Sequence, residues 1–307
     1  MGRNLKEYII IGLKGMAMGA ADVVPGVSGG TIAFISGIYE ELLASISNVN
    51  FKLLKTLKLE GIKAAWIQVN GSFLLSLFIG IFISIISLAK TIKWLLENES
   101  VLLWSFFFGL VLASIIYIGK QISKWNVITG IILIIGGFAA FYVTTLNPLV
   151  TENSSLLFLF LAGAIAICAM ILPGISGAFI LVLLGAYKPI LSAVNDRDLK
   201  TIVAVGFGAI VGLLSFSKIL KWMFSNYKNY TLATLTGFII GSLNKIWPWK
   251  ETVSWRTNSH GLEVPLKQQS ISPFSFDGDP KLTLAIVLAM IGFGLILLME
   301  KLAVKKE

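Results

Sequence analysis

The stretch GAADVVPGVSGGTIAFISGIYE, Gly19 to Glu40, sets an aspartate, a proline and several glycines inside an otherwise apolar run. A second stretch, ICAMILPGISGAFILVLLGAYK, Ile167 to Lys188, repeats its skeleton 148 positions later. Pro25 aligns with Pro173, Gly26 with Gly174, Ser28 with Ser176, Gly29 with Gly177, Gly37 with Gly185 and Tyr39 with Tyr187. Proline has no amide N–H and suits the first turn of a new helix, while glycine leaves the neighbouring backbone uncovered. P-G-[VI]-S-G therefore reads as a helix that stops and restarts, and the chain does this twice.

The surroundings decide what kind of helix is broken. Of 307 residues, 56% are hydrophobic and 13% charged, against about 25% charged in soluble domains. The composition is that of an integral membrane protein. No Asp, Glu, Lys or Arg occurs from Asn153 to Tyr187. As one helix that run would be roughly 50 Å long, against a hydrocarbon core of about 30 Å, so it must break, and Pro173-Gly174 is the place. The other uncharged runs, Asn70 to Ala89, Val101 to Gly119, Trp125 to Thr151, Thr201 to Ser217, Asn229 to Asn244 and Leu282 to Met299, are each close to one span. The N-terminal MGRNLKEY lacks a small-residue cleavage site before Asp22 and reads as retained sequence.

The repeat continues beyond the motifs at a shorter offset. SLAKTIKWLL (Ser87 to Leu96) pairs with SFSKILKWMF (Ser215 to Phe224), and GLVLASI (Gly109 to Ile115) with GFIIGSL (Gly237 to Leu243), both 128 positions on. The offset falls because the first half carries a longer, Lys-rich loop, Phe51 to Asn70. IGGF (Ile135 to Phe138) loosely resembles MIGF (Met290 to Phe293). The expected fold is an all-α polytopic membrane protein of two inverted repeats, each a broken or re-entrant pair of short helices followed by three spans. Residues 1–151 form the first repeat, with the broken pair at 9–46 and spans near 70–89, 101–119 and 125–146. Residues 152–307 form the second, with the broken pair at 154–194, spans near 201–217, 229–244 and 282–299, and an outer loop at 245–281. A pair that returns to its starting side, followed by three spans, turns the second half upside down.

Charge placement agrees. With both termini inside, inside segments hold 14 Lys and Arg and the short outside loops hold five, Lys90, Lys93, Lys188, Arg197 and Lys200. The long outer segment from Lys245 to Lys281 adds five more, but such loops count for less, and it also carries Glu251, Glu263, Asp277 and Asp279. The net charge of +9 is explained by that bias, and the scatter of basic residues argues against nucleic-acid binding. The single Cys168 excludes an intramolecular disulfide and reads as a packing residue. The single His260 has no Cys or His nearby, so no metal site, catalytic residue or bound cofactor is expected.

In hydrocarbon, non-helical backbone survives only where it is buried in protein or lines a polar cavity. Two breaks in paired positions thus point to a shared internal site, as in transporters built from repeats. Amides and hydroxyls at restarted helices favour anions, which selects Gly26, Ser28, Gly29, Gly30, Thr31, Gly174, Ser176 and Gly177 as phosphate-binding candidates, with Pro25 and Pro173 as the breaks. Kinks and close packing are the plain alternative, and packing is the preferred reading for Gly109 and Gly237. Asp22 has no acidic counterpart at Met170. An acid at that depth costs about 2.5 to 3.5 kcal/mol, so Asp22 is a candidate proton carrier, cation ligand or partner of Lys14. Lys14 and Glu40 are the further candidates for coupling or charge partner, with a proton or sodium gradient as the driving force. Glu40 and Glu41 are read as ending the second short helix, and Trp94, Trp222, Trp247, Trp249 and Trp255 as an aromatic belt.

At these residues the chain resembles the polyprenyl-phosphate transporters of bacteria and archaea, long catalogued as a domain of unknown function. The resemblance covers nearly the whole chain and includes Asp22, Pro25, Gly26, Ser28 to Thr31, Tyr39, Glu40, Pro173, Gly174, Ser176, Gly177, Gly185 and Tyr187. It implies a flippase of the cytoplasmic membrane that returns undecaprenyl phosphate from the outer to the inner leaflet for envelope synthesis, with membrane lipids as its other partners. Ala178 and Phe179 stand where the first motif has Gly30 and Thr31, so the first half is expected to hold the phosphate more firmly. A small-anion channel or transporter is the competing reading. An intramembrane lipid phosphatase would need a histidine or metal cluster that the sequence lacks, and a purely structural subunit would leave the duplicated breaks unexplained.

Overall fold

The computed structural model describes residues 3–24, 27–146, 155–257 and 263–304. Pro25, Gly26, the expected boundary at 151–152, His260 and the C-terminal Lys305 and Lys306 lie outside these residues. The chain forms α1 (Leu5–Val23), α2 (Gly29–Ile35), α3 (Tyr39–Ser47), α4 (Phe51–Gln68), α5 (Gly71–Asn98), α6 (Ser100–Gln121) and α7 (Val127–Thr145). It continues with α8 (Leu156–Ile171), α9 (Gly177–Leu183), α10 (Tyr187–Asn195), α11 (Leu199–Ser242), a hairpin of β1 (Lys250–Thr257) and β2 (Glu263–Ser270), and α12 (Leu282–Val304). Among the described residues four helices, α5, α6, α7 and α11, are long and apolar enough to cross a membrane, and the bent pair α9 and α10 together match a fifth. This is a helical, polytopic membrane protein.

Backbone angles recur at the offsets that align the sequence. Gly37 and Gly185, 148 apart, have φ of 73° and 70° and end α2 and α9 in the left-handed region that glycine tolerates. Glu99 separates α5 from α6 with φ −135° and ψ 41°. Tyr227, 128 positions later, has φ −136° and ψ 44° inside α11. At about 1.5 Å per residue the 44 residues of α11 would extend roughly 66 Å, so Tyr227 divides it into two limbs that correspond to α5 and α6.

Packing recurs as well. A Cβ on Gly80 would collide with the Gly12 carbonyl, and one on Gly208 with the Phe160 carbonyl. A Cβ on Gly19 would meet Ile81 O at 2.7 Å, and one on Gly212 would meet Ala164 O at 2.5 Å. Along these seams residue numbers rise together, so α1 runs parallel to α5 and α8 parallel to the first limb of α11. Each broken segment therefore hands the chain back at the end where it began. Gly109 abuts Ala289 of α12, and Gly237 in the second limb of α11 abuts Leu133 of α7. Both are close-packing glycines, and the last span of each half packs on a span of the other half.

Polar contacts gather at two ends. At one, Arg3 makes a bidentate pair with Glu41 at 2.6 and 2.7 Å, Asn70 Nδ2 donates to the same carboxylate at 2.6 Å, Lys228 pairs with Glu40 at 2.8 Å, and the Ser123 amide donates to Asn229 Oδ1 at 3.0 Å. At the other, Lys281 pairs with Glu99, Trp247 donates to Ile271 O at 2.8 Å and Trp249 to Pro280 O at 3.0 Å. The first group joins segments that the charge count placed inside, the second those it placed outside.

Several sequence expectations are corrected. The Phe51 to Asn70 segment is mostly the helix α4, kinked at Gly61 (φ 85°), with Phe51, Leu54, Leu59 and Ile62 exposed between its lysines. Its charge density suited a loop, yet the helix needs no buried face where lipid or interface covers it. Lys90 and Lys93 lie in the last turns of α5, and Lys218 and Lys221 inside α11, not in loops. Each broken pair is one helix followed by two short ones, because Gly37 and Gly185 add a second break; α9 and α10 are bent by 107°. Glu40 and Glu41 consequently begin α3 instead of ending a helix. The outer segment contains an antiparallel hairpin that polar composition did not reveal.

Overpacking at a close seam costs about 1–3 kcal/mol. Gly80→Ala and Gly208→Ala should therefore both lower the temperature of half-unfolding in detergent. Gly130→Ala and Gly206→Ala, where an added Cβ meets nothing within 4 Å, should not.

Candidate functional site: two interlocked helix breaks

The first break is built around Asp22. One residue before the end of α1, its Oδ1 accepts the Gly29 amide at 2.6 Å, so a carboxylate sits where the dipole of α2 is positive. A Cβ on Gly29 would lie 2.5 Å from Asp22 Oδ2; glycine is what permits the approach. Ser28 caps α2 by accepting from the Gly30 amide at 3.1 Å.

The same motif reaches into the second break. Helix α8 ends at Ile171, and the last carbonyls of a helix lack intrahelical partners. Ser28 Oγ donates to Met170 O at 3.0 Å, and Tyr39 OH donates to Ile171 O at 3.1 Å. In the other direction the Gly174 amide donates to Thr31 Oγ1 at 2.9 Å. A Cβ on Gly30 would stand 2.5 Å from Ile171 O, which requires a glycine at the crossing. Tyr39 is held further by edge-on contacts with Phe34 and Phe224. Asp22, Ser28, Gly29, Gly30, Thr31, Tyr39 and Gly174 thus form one connected unit, in which the first motif supplies the hydroxyls and the second supplies unsatisfied backbone.

The second break is chemically different. Gly174 has φ 86°. Ser176 occupies the cap position of α9 but makes no side-chain cap hydrogen bond, and Met170 stands where Asp22 does in the first half. Gly177 packs against α8, where a Cβ would meet Ala166 O at 2.6 Å. Gly174, Ile175, Ser176 and Phe179 line a small recess with Ala140, Val143 and Thr144 of α7 and with Lys245. The Lys245 ammonium lies 4.4 Å from the centre of the Phe179 ring. Beside it Lys250 Nζ donates to Lys245 O at 2.6 Å and lies 3.8 Å from the centre of the Trp104 ring. Burial, and then the neighbouring Lys245 charge, push the Lys250 ammonium down to about 7.

Sequence reading passed over both lysines as outer-segment charges. The available signal was position: Lys245 closes an uncharged run and is followed by Trp247-Pro248-Trp249, a rigid aromatic segment able to hold a cation against rings. Phe179, noted as a departure from the first motif, is the ring that Lys245 covers. Other candidates lie apart from the crossing. Lys14 Nζ donates to Ser36 O at 2.5 Å and ties α1 to the end of α2. Glu40 pairs with Lys228 on the surface, Gly185 is the turn between α9 and α10, and Tyr187 begins α10. Cys168 Sγ donates to Gly212 O at 3.6 Å. Among the described residues no cluster of three metal-ligating side chains occurs.

No solved structure matches this chain. A polyprenyl-phosphate transporter of Vibrio cholerae serotype O1 is 50% identical over 309 residues, covering 99% of this chain and 100% of that protein. A polyprenyl-phosphate transporter of Staphylococcus aureus is 34% identical over 262 residues, covering 79% of this chain and 88% of that one. The undecaprenyl phosphate translocase-like family matches residues 18–264, a stretch that contains both breaks and the crossing between them. With its relatives named as transporters and its duplicated motif intact, the chain belongs to the undecaprenyl phosphate translocase-like family.

Proposed function

We propose that the protein carries undecaprenyl phosphate, or a related polyprenyl phosphate, from the outer to the inner leaflet of the cytoplasmic membrane, returning the lipid carrier to envelope synthesis. The observation that carries this reading is the crossing itself: two helix ends, one from each half, bound to each other by Ser28, Thr31 and Tyr39. Polar backbone at that depth requires partners, and a charged head moving past it finds hydroxyls and amides in place of hydrocarbon. The prenyl tail needs no such path. It stays in the lipid while the protein handles the head.

The same reading makes residues 1–151 and 152–307 inverted halves. Helix α5, parallel to α1, finishes at Glu99, beside Lys281. The first limb of α11, parallel to α8, finishes at Tyr227, beside the Lys228–Glu40 and Ser123–Asn229 contacts. Helices α1 and α8 thus approach the crossing from opposite ends, the arrangement from which alternating access follows. With the N- and C-termini inside, cysteines placed in α4 should react only with membrane-permeant reagents in intact cells, and cysteines at 268–279 should react with impermeant ones. The opposite pattern would reverse the orientation.

At the crossing, Asp22 holds the Gly29 amide as a built-in anion. The phosphate of the substrate and the Asp22 carboxylate compete for the same kind of donor, so a step that frees this amide is coupled to the charge on Asp22, with a proton or a sodium ion as neutraliser. Asp22→Asn keeps an acceptor for the Gly29 amide and removes the charge. It should fold like the parent and lose gradient dependence of transport, measured as leaflet-resolved movement of labelled undecaprenyl phosphate in proteoliposomes. A normal rate with unchanged gradient dependence would confine Asp22 to capping α2.

Tyr39→Phe keeps the ring and deletes the buried bond to Ile171 O, leaving that carbonyl without this donor at a cost of about 1 to 3 kcal/mol. It should slow transport several-fold and lower the temperature of half-unfolding modestly, because the deleted bond joins the halves while each half's own packing is kept.

A further inference from the structure

We propose that Lys245 and Lys250 form an anion-capture site at the hairpin end of the molecule, which receives the phosphomonoester head before it reaches the crossing. The inference deepens the polyprenyl-phosphate reading by naming the residues that load the substrate. Among the described residues neither ammonium has a carboxylate partner. Their neighbours are the Phe179 and Trp104 rings and the Lys245 carbonyl. Two acids of this end are engaged with Lys281: Glu99 pairs with its ammonium, and Asp279 accepts its amide at 2.9 Å. Two adjacent, desolvated ammonium groups without a counter-charge are costly, and a phosphate dianion supplies the missing charge for both.

Position supports the same conclusion. Lys245 opens onto the recess lined by Gly174, Ser176 and Phe179, and Gly174 is the residue that Thr31 binds at the crossing. A head held by Lys245 is therefore next to the break it must pass. The first half has no equivalent pair: the 128-residue offset aligns Lys245 with Tyr117 and Lys250 with Ile122. Capture is thus built into one end only, which gives the pathway a loading side.

The test is the affinity of the purified full chain in detergent for undecaprenyl phosphate, with the neutral prenyl alcohol as control and inorganic phosphate as competitor. Lys245→Gln and Lys250→Gln should each weaken binding of the phosphate by about ten- to a hundred-fold, the range of one charged hydrogen bond. The arginine variants should stay within about threefold of the parent, and the alcohol should be unaffected. On the parent itself, lipid phosphate should shield Lys245 and Lys250 from an amine-acylating reagent where the alcohol does not, a measurement independent of whether any variant folds. Folded glutamine variants that bind the phosphate like the parent, or a parent whose lysines are not shielded, would overturn the capture site while leaving transport of the lipid standing. A lysine-dependent site that takes inorganic phosphate as well as the lipid, in a parent that moves no lipid, would instead leave the anion site and overturn the polyprenyl-phosphate reading.

Discussion

Two helices that stop inside a membrane each leave carbonyls and amides without partners, and the fold depends on how those groups are satisfied. Here they satisfy one another across the two halves. The carbonyls of Met170 and Ile171 are taken by hydroxyls of Ser28 and Tyr39, and the Gly174 amide finds Thr31. Ser28, Thr31 and Tyr39 are buried in protein, the setting in which non-helical backbone at membrane depth is tolerated. The glycines at 29 and 30 bring the backbones close enough for these bonds to form, and removing any one donor leaves a buried polar group without that partner.

The repeat is close in backbone and unequal in chemistry. Matching dihedral angles at Gly37 and Gly185, and at Glu99 and Tyr227, show how alike the frames are. Onto that frame the first half places an acid and three hydroxyl donors or acceptors, and the second places Met170, Phe179 and a pair of lysines. Negative charge lies at one break and positive charge beside the other.

Much of this was legible in the sequence, for reasons that can be named. The breaks were visible because Pro and Gly act through local backbone geometry, and the spans because hydrocarbon thickness sets a length. Gly109 and Gly237 were rightly read as packing surfaces from their place in apolar helices. The second break at Gly37 and Gly185 was missed, since a glycine within an apolar run is ambiguous until φ is known. Helix α4 was hidden by its lysines, which read as a loop when the buried face that normally marks a helix is absent. The stitching of Thr31 to Gly174 and the approach of Lys245 to Phe179 depend on contacts across 143 and 66 positions. No spacing rule reaches that far. The asymmetry between the motifs was legible at Ala178 and Phe179, whereas the Asp22 carboxylate is recognisable as the occupant of the first break only in three dimensions.

The exchange of closing partners between the halves constrains how the protein is made. Helix α6 rests on α12 through Gly109 and Gly292, and α7 rests on the second limb of α11 through Gly237 and Gly241. Neither half contains the surface against which its own later spans pack. During synthesis α6 and α7 must therefore wait in the bilayer, with small-residue faces uncovered, until their partner spans in the second half have been inserted. Separated halves would each present the same uncovered faces, and their most available complement is another copy.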